Sequence, residues 1–66
     1  MTITVNGKPK ELDAPTTVAA LLESLGLDTA RVTLELNREI LPRAEFVDRV
    51  LTNGDTLEIV QFVGGG

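Results

Sequence analysis

Few residues in this sequence could carry chemistry. Cys and His are both absent. Without Cys there is no disulfide, no thiolate ligand and no thiol nucleophile. Without His the chain lacks the usual metal ligand and the side chain best suited to proton transfer near neutral pH. What remains is a set of carboxylates that fall in pairs, and a glycine run. The pairs are Glu11 with Asp13, Glu35 with Glu39, and Asp55 with Glu58. Paired carboxylates do acid–base work only inside a cleft that drives their pKa values apart. These sit in turns and on the polar sides of strand patterns, so they are expected to face solvent. Gly54-Asp55 offers too few ligands for a metal loop. Gly64-Gly65-Gly66 is not a phosphate loop, because no Lys and no helix follows it. No metal site and no catalytic side chain of the chain's own is expected.

The glycine run is the stronger candidate. Glycine has no Cβ, so Gly64 and Gly65 can form a thin, flexible lead to Gly66. Such a lead can thread a narrow channel in a partner enzyme. The carboxylate of Gly66 is unshielded there, but a carboxylate does not acylate until activated. Adenylation by ATP makes a mixed anhydride that a sulfur or nitrogen nucleophile can attack. The activating protein would supply the phosphate contacts, the magnesium and the electrostatic stabilisation. Taken alone, the run fits a frayed end or a linker remnant as well as it fits a presented carboxylate. The elements before it decide between these readings.

Residues 1–5 alternate, with Ile3 and Val5 on one side and Thr2 and Thr4 on the other, as in a half-buried strand. Asn6-Gly7 is a hairpin turn pair. The return strand, 8–12, is polar and contains Pro9, which predicts an edge. Val18, Leu21, Leu22 and Leu25 then form one helical stripe. Thr16 or Thr17 supplies its N-cap, and Gly26 its C-terminal stop. Val32, Leu34 and Leu36 alternate through a third strand. Asn37-Arg38-Glu39 turns into an apolar pair, Ile40-Leu41, and Pro42 stops that segment. Phe46, Val50 and Leu51 are expected to anchor a loop with one short helical turn. After the turn Asn53-Gly54-Asp55 comes the last strand, 56–62. Leu57 and Ile59 should face the core, and Val60 and Phe62 the other side.

A helix between strands must cross one sheet face to bury its stripe. Such a crossover usually places the following strand parallel to a neighbour. Short edges around a central pair made of the first and last strands would satisfy the pattern. That is a β-grasp: α+β, a mixed four- to five-stranded sheet with one main helix packed across one face. An α+β sandwich of other topology fits the same periodicities. The expected division is a domain over 1–62 and a flexible tail over 63–66.

Composition limits the partners. The 66 residues carry ten acidic and six basic side chains, a net charge of −4. With no basic stripe, no Trp and no Tyr, nucleic-acid binding is not expected. No stretch approaches the roughly 18 apolar residues of a membrane span. Nothing near residue 1 resembles a signal-peptide core, so the expected location is cytoplasmic. A chain this short buries only about 60% of its unfolded surface, too little to enclose a catalytic cavity.

The segment Asn53-Gly54-Asp55-Thr56-Leu57-Glu58-Ile59-Val60, followed by Val63-Gly64-Gly65-Gly66, resembles the sulfur carriers of thiamine thiazole synthesis, the ThiS family. The resemblance extends to Met1-Thr2-Ile3-Thr4-Val5-Asn6-Gly7, to the helical stripe, and to Leu36-Asn37-Arg38-Glu39-Ile40-Leu41-Pro42-Arg43. It implies a ubiquitin-like β-grasp fold. It also implies that Gly66 is adenylated by an E1-like adenylating enzyme of the ThiF type, using Mg-ATP. Gly66 would then become a thiocarboxylate fed by a sulfur-donor protein, and pass its sulfur to a ThiG-type thiazole synthase. Val60, Phe62 and Val63 would form a partner interface. Phe46 departs mildly from the family, where a larger aromatic is common; this bears on packing alone. The alternatives are a sister carrier of the molybdopterin synthase small-subunit type, a ubiquitin-like protein modifier, and a passive binding module.

Overall fold

The computed structural model describes residues 1–62. The proposed tail at 63–66 lies outside them, so the expected division of the chain is not tested there. The strands are β1 (Thr2–Val5), β2 (Lys8–Glu11), β3 (Val32–Leu36), β4 (Glu39–Ile40) and β5 (Thr56–Gln61). One α-helix, α1 (Val18–Ser24), lies between β2 and β3, and short 3-10 turns cover Thr29–Arg31 and Arg43–Glu45.

The five strands form one mixed sheet in the order β2-β1-β5-β3-β4. The first and last strands are the central neighbours, and they run parallel. The polar β2, with Pro9, is an edge as its composition requires. One sequence expectation is corrected here. The strand after the helix, β3, is antiparallel to both its neighbours, β5 and β4. The parallel crossover instead joins β1 to β5 and encloses the whole middle of the chain.

Both hairpins close with two-residue turns at positive φ. Asn6 and Gly7 lie at φ 50° and 81°, and Asn37 and Arg38 at 52° and 72°. Positive φ at both central residues is the turn whose twist matches paired strands. At the start of α1, the Thr17 hydroxyl accepts from the Ala20 N–H at 3.1 Å. The two preceding free donors, Val18 and Ala19 N–H, reach the carbonyls of Arg49 and Phe46 at 2.9 Å each. Gly26, at φ 75°, closes the helix. Its N–H bonds to the Glu23 carbonyl and that of Leu27 to the Leu22 carbonyl, both at 3.0 Å. This pair of bonds is the Schellman ending that a left-handed glycine permits.

The core lies between α1 and one face of the sheet. Val18, Leu21 and Leu22 from the helix meet Ile3, Val32, Leu34 and Leu57 from the strands, and all are buried. Phe46 and Leu51 close one side, as expected of the anchored loop. Three apolar residues break the expected pattern. Leu25 is 38% exposed because the helix has ended and it is the C-cap. Val50 is 49% exposed, its backbone bridging Thr17 while Leu51 turns inward. Ile40 is 78% exposed, and its neighbour Leu41 is buried. Ile40 opposes Glu35 in the β3–β4 ladder, so it shares the outer face with that residue.

Candidate functional site

Strand β5 carries the chain from the sheet centre toward the glycine run. Leu57 is fully buried under α1, and Ile59 packs partly against the core. Alternation sends Glu58 and Val60 to the opposite, helix-free face. On the β3 side the ladder runs through Val32↔Gln61 and is continued by Phe62 N–H to the Arg31 carbonyl at 2.8 Å. Phe62 is thus fixed by backbone pairing, although the strand itself ends at Gln61.

The outer face near this end is apolar and acidic. Val60 is 55% exposed and Phe62 54%. Ile40 joins them from the edge strand β4. A shallow concavity of ≈ 200 Å³ is lined by Thr33, Leu34, Glu35, Ile40, Glu58 and Val60. Val60 and Phe62 are therefore surface residues and not core packing. Of the other site residues read from the sequence, Val63, Gly64, Gly65 and Gly66 lie outside the described residues.

The carboxylate pairs behave differently from one another. Glu11, Asp13, Glu35, Glu39 and Glu58 are exposed. Asp55 is not: it is 6% exposed and the one buried charged residue among those described. This corrects the expectation that it faces solvent. Its Oδ1 accepts from Asn37 Nδ2 at 3.0 Å, and its Oδ2 from the Thr52 N–H at 2.8 Å. Burial pushes the Asp55 carboxyl up. The Thr52 N–H, the Asn37 amide, the Thr52 side chain and the charge of Arg49 outweigh it, so the pKa lies below its ordinary value of 3.8. The group is a structural tie. The sequence carried a signal for it: Thr52-Asn53-Gly54-Asp55 has the spacing of a capping box, in which the fourth side chain reaches back to the first N–H.

Two asparagine amides were also not foreseen. Asn37 Oδ1 accepts from the Thr56 N–H at 2.9 Å, binding the β3–β4 turn to the start of β5. Asn6 binds Ile59 through both ends of its amide. Among the described residues, no three His, Cys, Asp or Glu side chains are placed to share a metal ion. No helix among them is long and apolar enough to cross a membrane.

A five-stranded mixed sheet of this order with one helix packed across one face defines a ubiquitin-like β-grasp protein. The chain belongs to the ThiS family, whose model matches residues 3–66. It is 40% identical to a crystal structure of the thiamine biosynthesis protein ThiS from Geobacter metallireducens, with a TM-score of 0.84 and full coverage of both chains. It is 36% identical over 62 residues to the sulfur carrier protein ThiS of Thermus thermophilus, covering 94% of this chain and 95% of that one. It is 42% identical over 66 residues to a thiazole synthase of Paramagnetospirillum magneticum. There the match takes in the whole of this chain but spans only a fifth, 20%, of that protein's length.

Proposed function

We propose that this chain is a sulfur carrier for the thiazole moiety of thiamine, with the C-terminal carboxylate of Gly66 as its reactive group. The observation that carries the reading is the family match, which runs to residue 66 and so takes in the glycine run. A ThiF-type adenylating enzyme joins the Gly66 carboxylate to AMP from Mg-ATP, releasing pyrophosphate. Sulfide (HS⁻) delivered by a donor protein attacks the acyl carbon, the C–O bond to AMP breaks, AMP leaves with the bonding pair, and loss of the thiol proton completes the exchange. The resulting thiocarboxylate gives its sulfur to a thiazole synthase. The relative named thiazole synthase supports that partner, since a segment similar to this whole chain lies within a longer one. The chain's own part is presentation. In this reading Gly64 and Gly65 are the lead to the reactive group. Val60 and Phe62, both exposed beside the end of β5, form the docking face together with Val63.

Intact mass spectrometry tests this. The protein is incubated with its adenylating enzyme, Mg-ATP and a sulfur donor. A mass change equal to one oxygen replaced by sulfur, localised to Gly66, is the expected result. An unchanged mass with covalent adducts on other proteins would make the chain a modifier. No change and no adducts would make it a binding module.

A further inference from the structure

Strand β1 is too short to hold β5 along its length. Its backbone pairs reach only Thr4↔Thr56 and Val5↔Leu57, and the last rung is Asn6 N–H to the Leu57 carbonyl at 2.8 Å. In a regular parallel ladder the Asn6 carbonyl would next accept from the Ile59 N–H. It is turned away, because Asn6 sits at φ 50° in the hairpin turn. The side chain takes its place. Asn6 Oδ1 accepts from the Ile59 N–H at 2.7 Å, and Asn6 Nδ2 donates to the Ile59 carbonyl at 3.2 Å. One residue therefore ends β1, turns the chain and supplies the missing rung. Few residue types can do all three. Asp lacks the donor, and Ser and Thr cannot reach both groups; Gly makes the turn but has no amide.

The two sides of β5 are thus held differently. On the β3 side, backbone pairing continues to Phe62. On the β1 side, among the described residues, the Asn6 amide is the last hydrogen bond before Phe62. We propose that Asn6 is a positioning residue for the carrier chemistry: its amide holds the last rung on the β1 side of β5 and so fixes the course on which the strand leaves the sheet toward the adenylating enzyme. This rests on the carrier reading above. Misalignment at a reacting group costs rate steeply, up to about a hundredfold for about an ångström. The Asn6 side chain bonds the backbone of Ile59 and not Val60 or Phe62 of the docking face. Loss of the amide should therefore lower kcat and spare KM.

The test compares wild type with Asn6→Gly, which keeps the positive-φ turn and removes only the amide. Two quantities are measured. The first is amide hydrogen exchange by NMR, with Leu57 and Leu34 as internal controls for the fold. The second is steady-state pyrophosphate release by the ThiF-type enzyme with Mg-ATP and a sulfur donor, which consumes the adenylate. Exchange at Ile59 is expected to rise about tenfold, with the controls unchanged. The kcat is expected to fall about tenfold, with KM within about twofold. Asn6→Asp is the second variant should glycine loosen the turn: it keeps the acceptor for the Ile59 N–H and loses only the donor to the Ile59 carbonyl, so exchange at Ile59 should stay within about twofold of wild type and kcat should recover toward it. In Asn6→Gly, faster exchange with unchanged kcat would reduce Asn6 to a structural clip and overturn the proposal. So would unchanged exchange, or a loss confined to KM. Failure of the wild type to release pyrophosphate would instead strike the carrier reading itself.

Discussion

Asn37, exposed in the turn after β3, donates its Nδ2 to the Oδ1 of the buried Asp55 at 3.0 Å. The contact joins the turn after β3 to the residue just before β5. It sits beside a second tie, Asn37 Oδ1 to the Thr56 N–H. Together they fix where the last strand starts, and hence its register. A carboxylate this buried is stable only while its hydrogen bonds are made.

That dependence gives a pH prediction. The folded-state pKa of Asp55 is depressed below its ordinary value of 3.8. The stabilisation is therefore fully present above that value and is lost as the pH falls through the folded value beneath it. Asp55→Ala removes the acceptor for Asn37 and for the Thr52 N–H, and should cost about 2 kcal/mol at neutral pH. Urea unfolding of both proteins between pH 7 and strongly acid pH checks this. The gap between them should narrow at the acid end. A gap that stays constant down to acid pH would show that the charge on Asp55 contributes nothing.

Glu35 and Glu58 make the opposite kind of pair. They are direct cross-strand partners on β3 and β5, and both are exposed. Like charges directly opposite each other on neighbouring strands repel. Glu58→Gln should raise stability by about 0.5 kcal/mol, or roughly 2–4 °C in Tm for so small a domain. Salt should shrink the difference, because screening at about 1 M acts over about 3 Å. Thermal melts of the two proteins at low and high salt measure it. Equal melting temperatures at low salt would mean the two side chains swing apart.

Much of this arrangement was legible in the sequence, for physical reasons that differ by element. Val32, Leu34 and Leu36 alternate because one face of β3 is buried, and alternation is visible in a linear pattern. Asn6-Gly7 announces its turn because both residues accept positive φ. Arg38, also at positive φ, announces nothing. Ile40 and Leu41 have similar hydropathy, and only the β3–β4 register sends one out and the other in. Half of the Asp55 tie, the bond from the Thr52 N–H, was readable in the local Thr52–Asp55 spacing; the other half, from Asn37, lies 18 residues away and was not. The Asn6 amide was unreadable for the same reason, its partner lying 53 residues on. Of the candidate site, the glycine run stands in the sequence, and the exposure of Val60 and Phe62 followed from strand alternation.

Those two residues allow stability and docking to be separated. Leu57, fully buried on β5, should cost about 3 kcal/mol when cut to Ala. Phe62→Ala, at a half-exposed site on the same stretch, should change stability by less than about 1 kcal/mol. If Phe62 belongs to the docking face, its truncation should weaken binding to the adenylating enzyme by about tenfold. Calorimetric titration of the folded variant reads this directly. Undiminished affinity would remove Phe62 from the interface.

The carboxylate itself provides the sharpest separation of fold from chemistry. In the proposed function the group adenylated is the terminal carboxylate of Gly66, and no side chain can replace it. Appending one alanine after Gly66 moves the carboxylate by one residue, about 3.3 to 3.6 Å along an extended chain. It also puts a Cβ at the position a narrow channel must admit. The core is made by residues well before this point, from Ile3 to Leu57. The melting temperature should therefore stay within about 4 °C of wild type, since distant surface changes are worth less than about 0.5 kcal/mol. Thiocarboxylate formation, followed by intact mass, should fall below detection. An extended protein that retains its extra residue and still acquires sulfur would show that the reactive group lies elsewhere.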